Sequence, residues 1–394
     1  MEVGSVAKQL KRPLSDSVEA RLSALRGALG EDDLDAFLSI KLVNTYYLSG
    51  FTSLDTARPN SYTRPIAVAV AASDDACLVI PELDAEAARE TAAFSDIRTY
   101  GKSPAADAAR ELVLERLRET GARRVGVEED SFTAAWLSYF AERAPEVEFI
   151  PAAGLVERLR IKKDEGEIAT LREAARLSDI AIAASLGACA VGISELASET
   201  QGLVALREAA ALRGEESIVD AISLILGGPR GAMPHEFTTG RLYGSGDLMW
   251  HCWIVAYQGY WVENVRTGVV GSTDGRHDEA FEVLLESFLA GQDAARPGAV
   301  TGDVFRAVMG VLKSRPLPGF VITRSGHGMG LEYHEPPFIE DTDQTVLEPG
   351  MVLTVEPGIW IPGVGGLSLS NTLVVREGNP EILMTAPLAL YAAV

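Results

Sequence analysis

Cysteine, positive charge and long apolar runs are all scarce in this chain of 394 residues. Its three cysteines, Cys77, Cys189 and Cys252, are odd in number and widely spaced, which argues against a disulfide framework and predicts free thiols. Lysine and arginine number 35 against 56 aspartates and glutamates, a formal net charge of −21. Such an acidic surface repels phosphate backbones and anionic lipid, so nucleic acid and membrane surfaces are set aside as partners and a small-molecule substrate is expected. No apolar run reaches the roughly 20 residues that cross a bilayer, and no basic-led apolar stretch opens the chain, so a cytoplasmic protein is expected. Internal repeats and low-complexity tracts are absent as well.

What is present describes an ordinary globular protein: 47% hydrophobic residues, 37 glycines and 19 prolines. The length suggests two domains. Helical spacing of apolar residues at 17–30, a short strand at 37–42, an apolar hairpin from Pro65–Ala72 and Cys77–Ile80, a helix over 104–120 and a strand at Arg124–Val127 read as an α/β domain over 1–155. Around 155–184 the texture turns charged and then amphipathic, with Ile168, Leu171, Ala175 and Ile182 on one face. This predicts a linking helix that opens a second domain, 156–394. Its expected helices fall at 195–212, 277–294 and 302–314, and its strands at 248–257, 260–270, 351–360 and 367–375.

Six phrases follow one another in this second part: RLRIKKDEGEIATLREAA (158–175), MPHEF (233–237), GSGDLMWHC (244–252), GYWVENVRT (259–267), GHGMGLEYHEPPFI (326–339) and LEPGMVLTVEPGIWIPGVGG (347–366). In order and spacing they resemble the peptidase family M24 of creatinase, aminopeptidase P, prolidase and methionine aminopeptidase. The resemblance implies an α/β (α+β) architecture, a creatinase-like N-terminal domain followed by a C-terminal pita-bread catalytic domain, and by analogy with dimeric members a homodimer.

In metal-dependent members two Asp, one His and two Glu hold a pair of divalent cations, because carboxylates and imidazole are donors that bridge metals and activate water. Carried over position by position, the first Asp corresponds to Cys252 and the second to Glu263. His327 and Glu356 are retained. The last Glu falls in Ser370-Asn371-Thr372, where a hydroxyl replaces it. Two carboxylates supply too little negative charge to hold two dications side by side. The expectation is therefore a metal-independent, creatinase-like hydrolase opening a C–N bond in a small nitrogenous compound, with no cofactor.

In that reading His235 and His334, which match substrate-facing histidines of the family, act as general acid or base, while Glu263 and Glu356 position the substrate and His327 completes the set. Cys252 is open between three roles: thiolate nucleophile, metal ligand, or a small side chain filling the space of the missing Asp. Strand alternation puts Trp250, Cys252 and Ile254 on one face, with His251 and Trp253 on the other. Arg266 matches the family's Arg-Thr phrase and is either a substrate contact or a hairpin anchor. By analogy with creatinase-like dimers, the stretch ARPNSYTRP offers Arg58, Tyr62 and Arg64 to the substrate, Arg64 as a bidentate carboxylate partner. Two alternatives stand beside this reading. One keeps a single divalent metal on Glu263, His327 and Glu356 in an aminopeptidase-like hydrolase or lyase. The other is a non-catalytic pita-bread binding module.

Overall fold

The computed structural model describes residues 17–53, 64–73, 75–101, 105–214, 217–272, 275–315, 317, 319–321 and 324–393. Contacts divide the chain into two units, Met1–Arg160 and Ile161–Val394.

In the first unit, helix α1 (Val18–Glu31) buries Val18, Leu22, Leu25 and Leu29, the i, i+3, i+4 stripe that its sequence shows. There follow β1 (Ala36–Ser39), α2 (Leu42–Ser49), β2 (Ala67–Ala71), β3 (Ala76–Pro81), α3 (Ala85–Thr91), β4 (Asp96–Tyr100), α4 (Ala105–Thr120), β5 (Arg124–Val127), α5 (Ala134–Arg143), β6 (Glu148–Pro151) and α6 (Leu155–Arg160). The strands form one sheet in the order β4-β3-β2-β1-β5-β6. β2 and β3 are the antiparallel hairpin expected, Ala67 facing Val79. The strand expected over 37–42 stops at Ser39. The buried carboxylate of Glu128 accepts the N–H groups of Ile40 and Lys41 at 3.2 and 3.0 Å, which ends strand pairing and starts α2. Ser39 Oγ and Asn44 Nδ2 donate to the same carboxylate.

In the second unit the expected linking helix is broken. Asp164 accepts the N–H of Glu167 and the Glu167 side chain accepts the N–H of Asp164, a capping box that opens α7 (Glu165–Gly187). Ile168, Leu171, Ala175 and Ile182 are all buried along it. Then come α8 (Glu195–Ala211), β7 (Val219–Gly227), β8 (Leu248–Tyr257), β9 (Tyr260–Val270), α9 (Arg276–Ala294), α10 (Thr301–Ser314), β10 (Phe320–Val321), β11 (Gly326–Gly328), β12 (Glu335–Phe338), β13 (Val352–Val355), β14 (Gly358–Ile361), β15 (Gly365–Ser368), β16 (Ser370–Val374), β17 (Glu381–Ile382) and β18 (Tyr391–Ala393). The run expected as one strand at 351–360 is two, because Pro357 has no N–H to give a ladder. The main sheet runs β12-β11-β13-β16-β9-β8-β7, with β17 on β16 and β18 on β9; β10-β14-β15 form a small second sheet.

Candidate active site

The register of the main sheet assembles the site, and a two-residue turn sets that register. Gln258 and Gly259 both have positive φ, 51° and 80°, the conformation that closes a tight hairpin with the natural strand twist. β8 and β9 are thereby locked with Ile254 opposite Glu263, Cys252 opposite Val265 and Trp250 opposite Thr267. Directly opposed residues of an antiparallel pair share a face. Ser370 of β16 faces Val265, Thr354 of β13 faces Thr372, His327 of β11 faces Thr354, and Phe338 of β12 faces His327. One face of the sheet thus carries Cys252, Glu263, Ser370, His327 and, two residues beyond Thr354, Glu356. The close approach of β11 to β13 requires glycine at 326, where φ is 147° and a Cβ would stand 2.0 Å from the Thr354 carbonyl oxygen.

The opposite face meets α7. His251 Nδ1 lies 2.9 Å from Ser185 Oγ, Trp253 Nε1 donates to the same hydroxyl, and Asn264 Nδ2 donates to Asp179. His251 is fully buried, which holds its pKa down to about 3. Arg266 lies on this face too. Its Nε and Nη2 donate to the Ala386 carbonyl, Nη1 to the carbonyls of Val265 and Ser370, and Nη2 also to Asn371 Oδ1. With every guanidinium nitrogen engaged and its face turned to the helix, Arg266 ties strand ends together, the anchoring alternative rather than the substrate contact.

On the site face His327 is the centre. Its Nδ1 lies 3.0 Å from the Gly328 carbonyl, an acceptor only, so Nδ1 carries the hydrogen and Nε2 presents a lone pair. That Nε2 is buried without a hydrogen-bond partner among the described residues, 3.2 Å from Glu356 Oε1 and 3.9 Å from Glu263 Oε2. Burial holds the imidazole below its usual pKa, against the pull of Glu263. Glu263 is buried as well, its Oε1 without a partner among the described residues; burial, and then the charge of Glu356, push its pKa up to about 8. Burial raises Glu356 in the same direction. The His334 ring meets His327 edge to face at 4.1 Å between centroids, and its pKa falls to about 4 through burial and then the neighbouring imidazole. One donor atom each from Glu263, His327 and His334 falls within 4.8 Å of the others.

Cys252 is buried beneath the cluster, and burial, with the charges of Glu263 and Glu356, raises its thiol well above the ordinary range. Such a setting disfavours the thiolate and suits a small side chain filling space, one of the three roles the sequence leaves open. Ser370 Oγ is 2.6 Å from Thr354 Oγ1, and Thr372 Oγ1 accepts the N–H of Glu263. His235 is exposed, on the segment between Gly231 and Thr239; its charge bears on His334. That segment is clamped by a residue the sequence did not flag. Glu195, fully buried, accepts from Gly227 N, Arg230 Nη1 and both N–H and Oγ1 of Thr239, gathering the two ends of the segment. Also unflagged is the buried ion pair between Lys163 Nζ and Glu335 Oε1, at 2.5 Å, which ties the RIKKDE phrase to the strand after His334. Arg64 stands exposed in the first unit. Arg58 and Tyr62 lie outside the described residues.

Glu263, His327 and His334 thus make a group that could hold a metal ion, with one oxygen of Glu263 and Nε2 of His327 lacking a hydrogen-bond partner among the described residues. Residues 169–377 match metallopeptidase family M24 and residues 21–162 the creatinase/prolidase N-terminal domain, and the chain belongs to that family. It is a pita-bread enzyme, a hydrolase acting on C–N bonds. Its relatives include a Xaa-Pro dipeptidase of Pyrococcus furiosus, 29% identical over 93% of this chain and 98% of that one. The uncharacterized peptidase YqhT of Bacillus subtilis is 28% identical over 94% of this chain and 99% of that one. Among solved structures, the Xaa-Pro dipeptidase from Bacillus anthracis superposes with a TM-score of 0.84 at 28% identity, covering 95% of this chain and 99% of that one.

These findings correct two expectations. The metal-independent, creatinase-like hydrolase of small nitrogenous compounds gives way, because the matching family is one of metallopeptidases and the relatives are peptidases. The expectation of no cofactor falls with it. A divalent ion answers the unpartnered atoms of Glu263 and His327, so the residues present fit one. At two of the positions that would hold a second ion the chain offers a thiol, Cys252, and a neutral hydroxyl, Ser370, hydrogen-bonded to Thr354, in place of carboxylates.

Proposed function

We propose that the protein is a peptidase cleaving short peptides, of the Xaa-Pro dipeptidase kind, working with a single divalent cation where its family uses two. The observation that carries this reading is the unpartnered Nε2 of His327, aimed at two carboxylates, with its tautomer set by Gly328. Two carboxylates against an imidazole lone pair repel one another unless a proton or a cation lies among them. Glu263, His327 and His334 would hold the ion, with Glu356 adjoining; the sequence had placed Glu356 in the ligand set and left His334 out of it. When bound, the ion supplies Lewis acidity and lowers the pKa of water.

The chain's own residues do the rest. The sheet register fixes Glu263 and His327, and the carbonyl of Gly328 turns the imidazole. Glu356, half-buried and with its proton affinity raised, accepts a proton from the attacking water and returns it to the leaving nitrogen. His235, on its clamped segment at the exposed rim, contacts the substrate. A cytoplasmic homodimer is part of the same proposal.

The test is metal content by plasma mass spectrometry together with hydrolysis of glycyl-proline, before and after chelation. One equivalent of metal and chelator-sensitive cleavage support the reading. Two equivalents overturn the single-ion centre, and cleavage that survives complete removal of metal overturns metal dependence.

A further inference from the structure

Arg324 has no place in the chemistry described so far, and its setting is unusual for a surface arginine. It precedes Ser325, whose N–H donates to the Ile339 carbonyl and whose own carbonyl accepts the N–H of Glu356. The residue is therefore pinned beside Ile339, which follows Phe338 at the end of β12, and Glu356, which follows the end of β13. Its guanidinium lies 4.2 Å above the ring of Phe338, and Phe338 is the residue directly opposite His327. The cation is thus stacked on a ring that shares the site face of the sheet. Its charge bears on Glu356, His327 and His334 alike.

The charge of Arg324 is ordered without being used up. The side chain is 45% exposed, and its contact with Glu340 Oε2 is at 3.5 Å, the outer limit of a hydrogen bond, with Glu340 itself 35% exposed. An ion pair so long and wet contributes little and is readily exchanged for a better partner. Stacking on Phe338 restricts the long side chain in advance, which lowers the entropic cost of engaging a ligand. In a chain of net charge −21, a preordered guanidinium beside a cluster of carboxylates and imidazoles selects for a group that those carboxylates would repel.

We propose that Arg324 is a specificity residue that receives the terminal carboxylate of the peptide substrate, its planar fork taking the two oxygens together. The substrate class is then a short peptide with a free C-terminus, and a C-terminal amide is disfavoured. This rests on the peptidase reading of the site. In contrast to Arg64 of the first unit, which the sequence offered for the same task, Arg324 belongs to the unit that holds the reacting groups.

The experiment uses the full metal-loaded chain, with glycyl-proline and glycyl-prolinamide as substrates and, separately, calorimetric titration with proline and prolinamide. The wild type should prefer the free acid by roughly 10- to 100-fold in kcat/KM, carried mainly by KM. Arg324→Met should abolish that preference and Arg324→Lys should keep part of it, with melting temperature unchanged in both because the side chain is solvent-facing. A preference that survives Arg324→Met overturns the proposal. If the wild type cleaves neither substrate, the peptidase reading fails, and the titration still decides on Arg324. Proline bound by the wild type and lost in Arg324→Met upholds the assignment; equal binding by both, or by neither, overturns it.

Discussion

Two buried glutamates, one in each unit, share a physical situation and differ in outcome. Burial pushes Glu128 up to about 7 and Glu263 to about 8. Glu128 is surrounded by donors: Ser39 Oγ, Asn44 Nδ2 and the N–H groups of Ile40 and Lys41. Glu263 keeps one oxygen without a partner, faces a second carboxylate and looks onto an imidazole lone pair. A desolvated carboxylate whose hydrogen bonds are all supplied by the chain is a structural joint. One that keeps an oxygen unpaired among the described residues, and otherwise meets Glu356 and Ser370, has room for a partner that those residues do not supply. Depth of burial does not separate the two; the state of their hydrogen bonds does.

Glu263→Gln should break the comparison most visibly. Removing the charge from the cluster is expected to cost roughly 10²- to 10⁴-fold in peptide hydrolysis and most of the bound metal, while melting temperature holds or rises, as measured by steady-state kinetics, metal analysis and calorimetry. Glu128→Ala should do the reverse. It orphans three donors at the start of α2, Ser39 Oγ and the N–H groups of Ile40 and Lys41, while Asn44 keeps Glu157, and should destabilise the protein by about 3–5 kcal/mol in denaturant unfolding, with metal content unchanged. Restoring carboxylates at the two lost ligand positions, with Cys252→Asp and Ser370→Glu together, should raise the metal stoichiometry from one to two equivalents; a value that stays at one refutes the account of why the second ion is missing.

The pH dependence sharpens the contrast further. Glu263 has a folded-state pKa raised from 4.5 to about 8, so the folded metal-free protein binds its proton more tightly than the unfolded chain does. Stability from this group is full below about pH 4.5 and is lost as pH rises toward 8. Melting of the metal-free protein should fall across that window, and Glu263→Gln should flatten the fall. Metal displaces the proton, so the metal-loaded protein should show a smaller loss. The smallest effect belongs to Cys252→Ala: as a small buried side chain filling space the thiol does no chemistry, and hydrolysis should remain within about three-fold of wild type. A loss of two orders of magnitude would reinstate the thiol as nucleophile or ligand.

Much of this is legible in the order of residues along the chain. The spacing of Cys252, Glu263, His327, Glu356 and Ser370 marked where ligands belong, and strand alternation separated Cys252 from His251, as the two faces of β8 do. The hairpin of β2 and β3 and the apolar face of α7 followed from periods of two and 3.6 residues. Less legible was what each polar residue does once buried. Arg266 stands in a family phrase and is consumed by carbonyls of distant strands, while Glu195, in no phrase, holds both ends of the segment bearing His235.

The sequence by itself determined the family, the order of the elements, and which carboxylates are missing, because these are properties of residue identity and spacing along one chain. Only the tertiary structure decided which buried groups are satisfied. The hydrogen bonds of Glu128 come from residues 84 to 89 positions away, and the lone pair of His327 is exposed to Glu263 and Glu356 only through the register of four strands. Satisfaction of a polar atom depends on the direction and distance of partners remote in sequence, and neither can be read until the chain has folded.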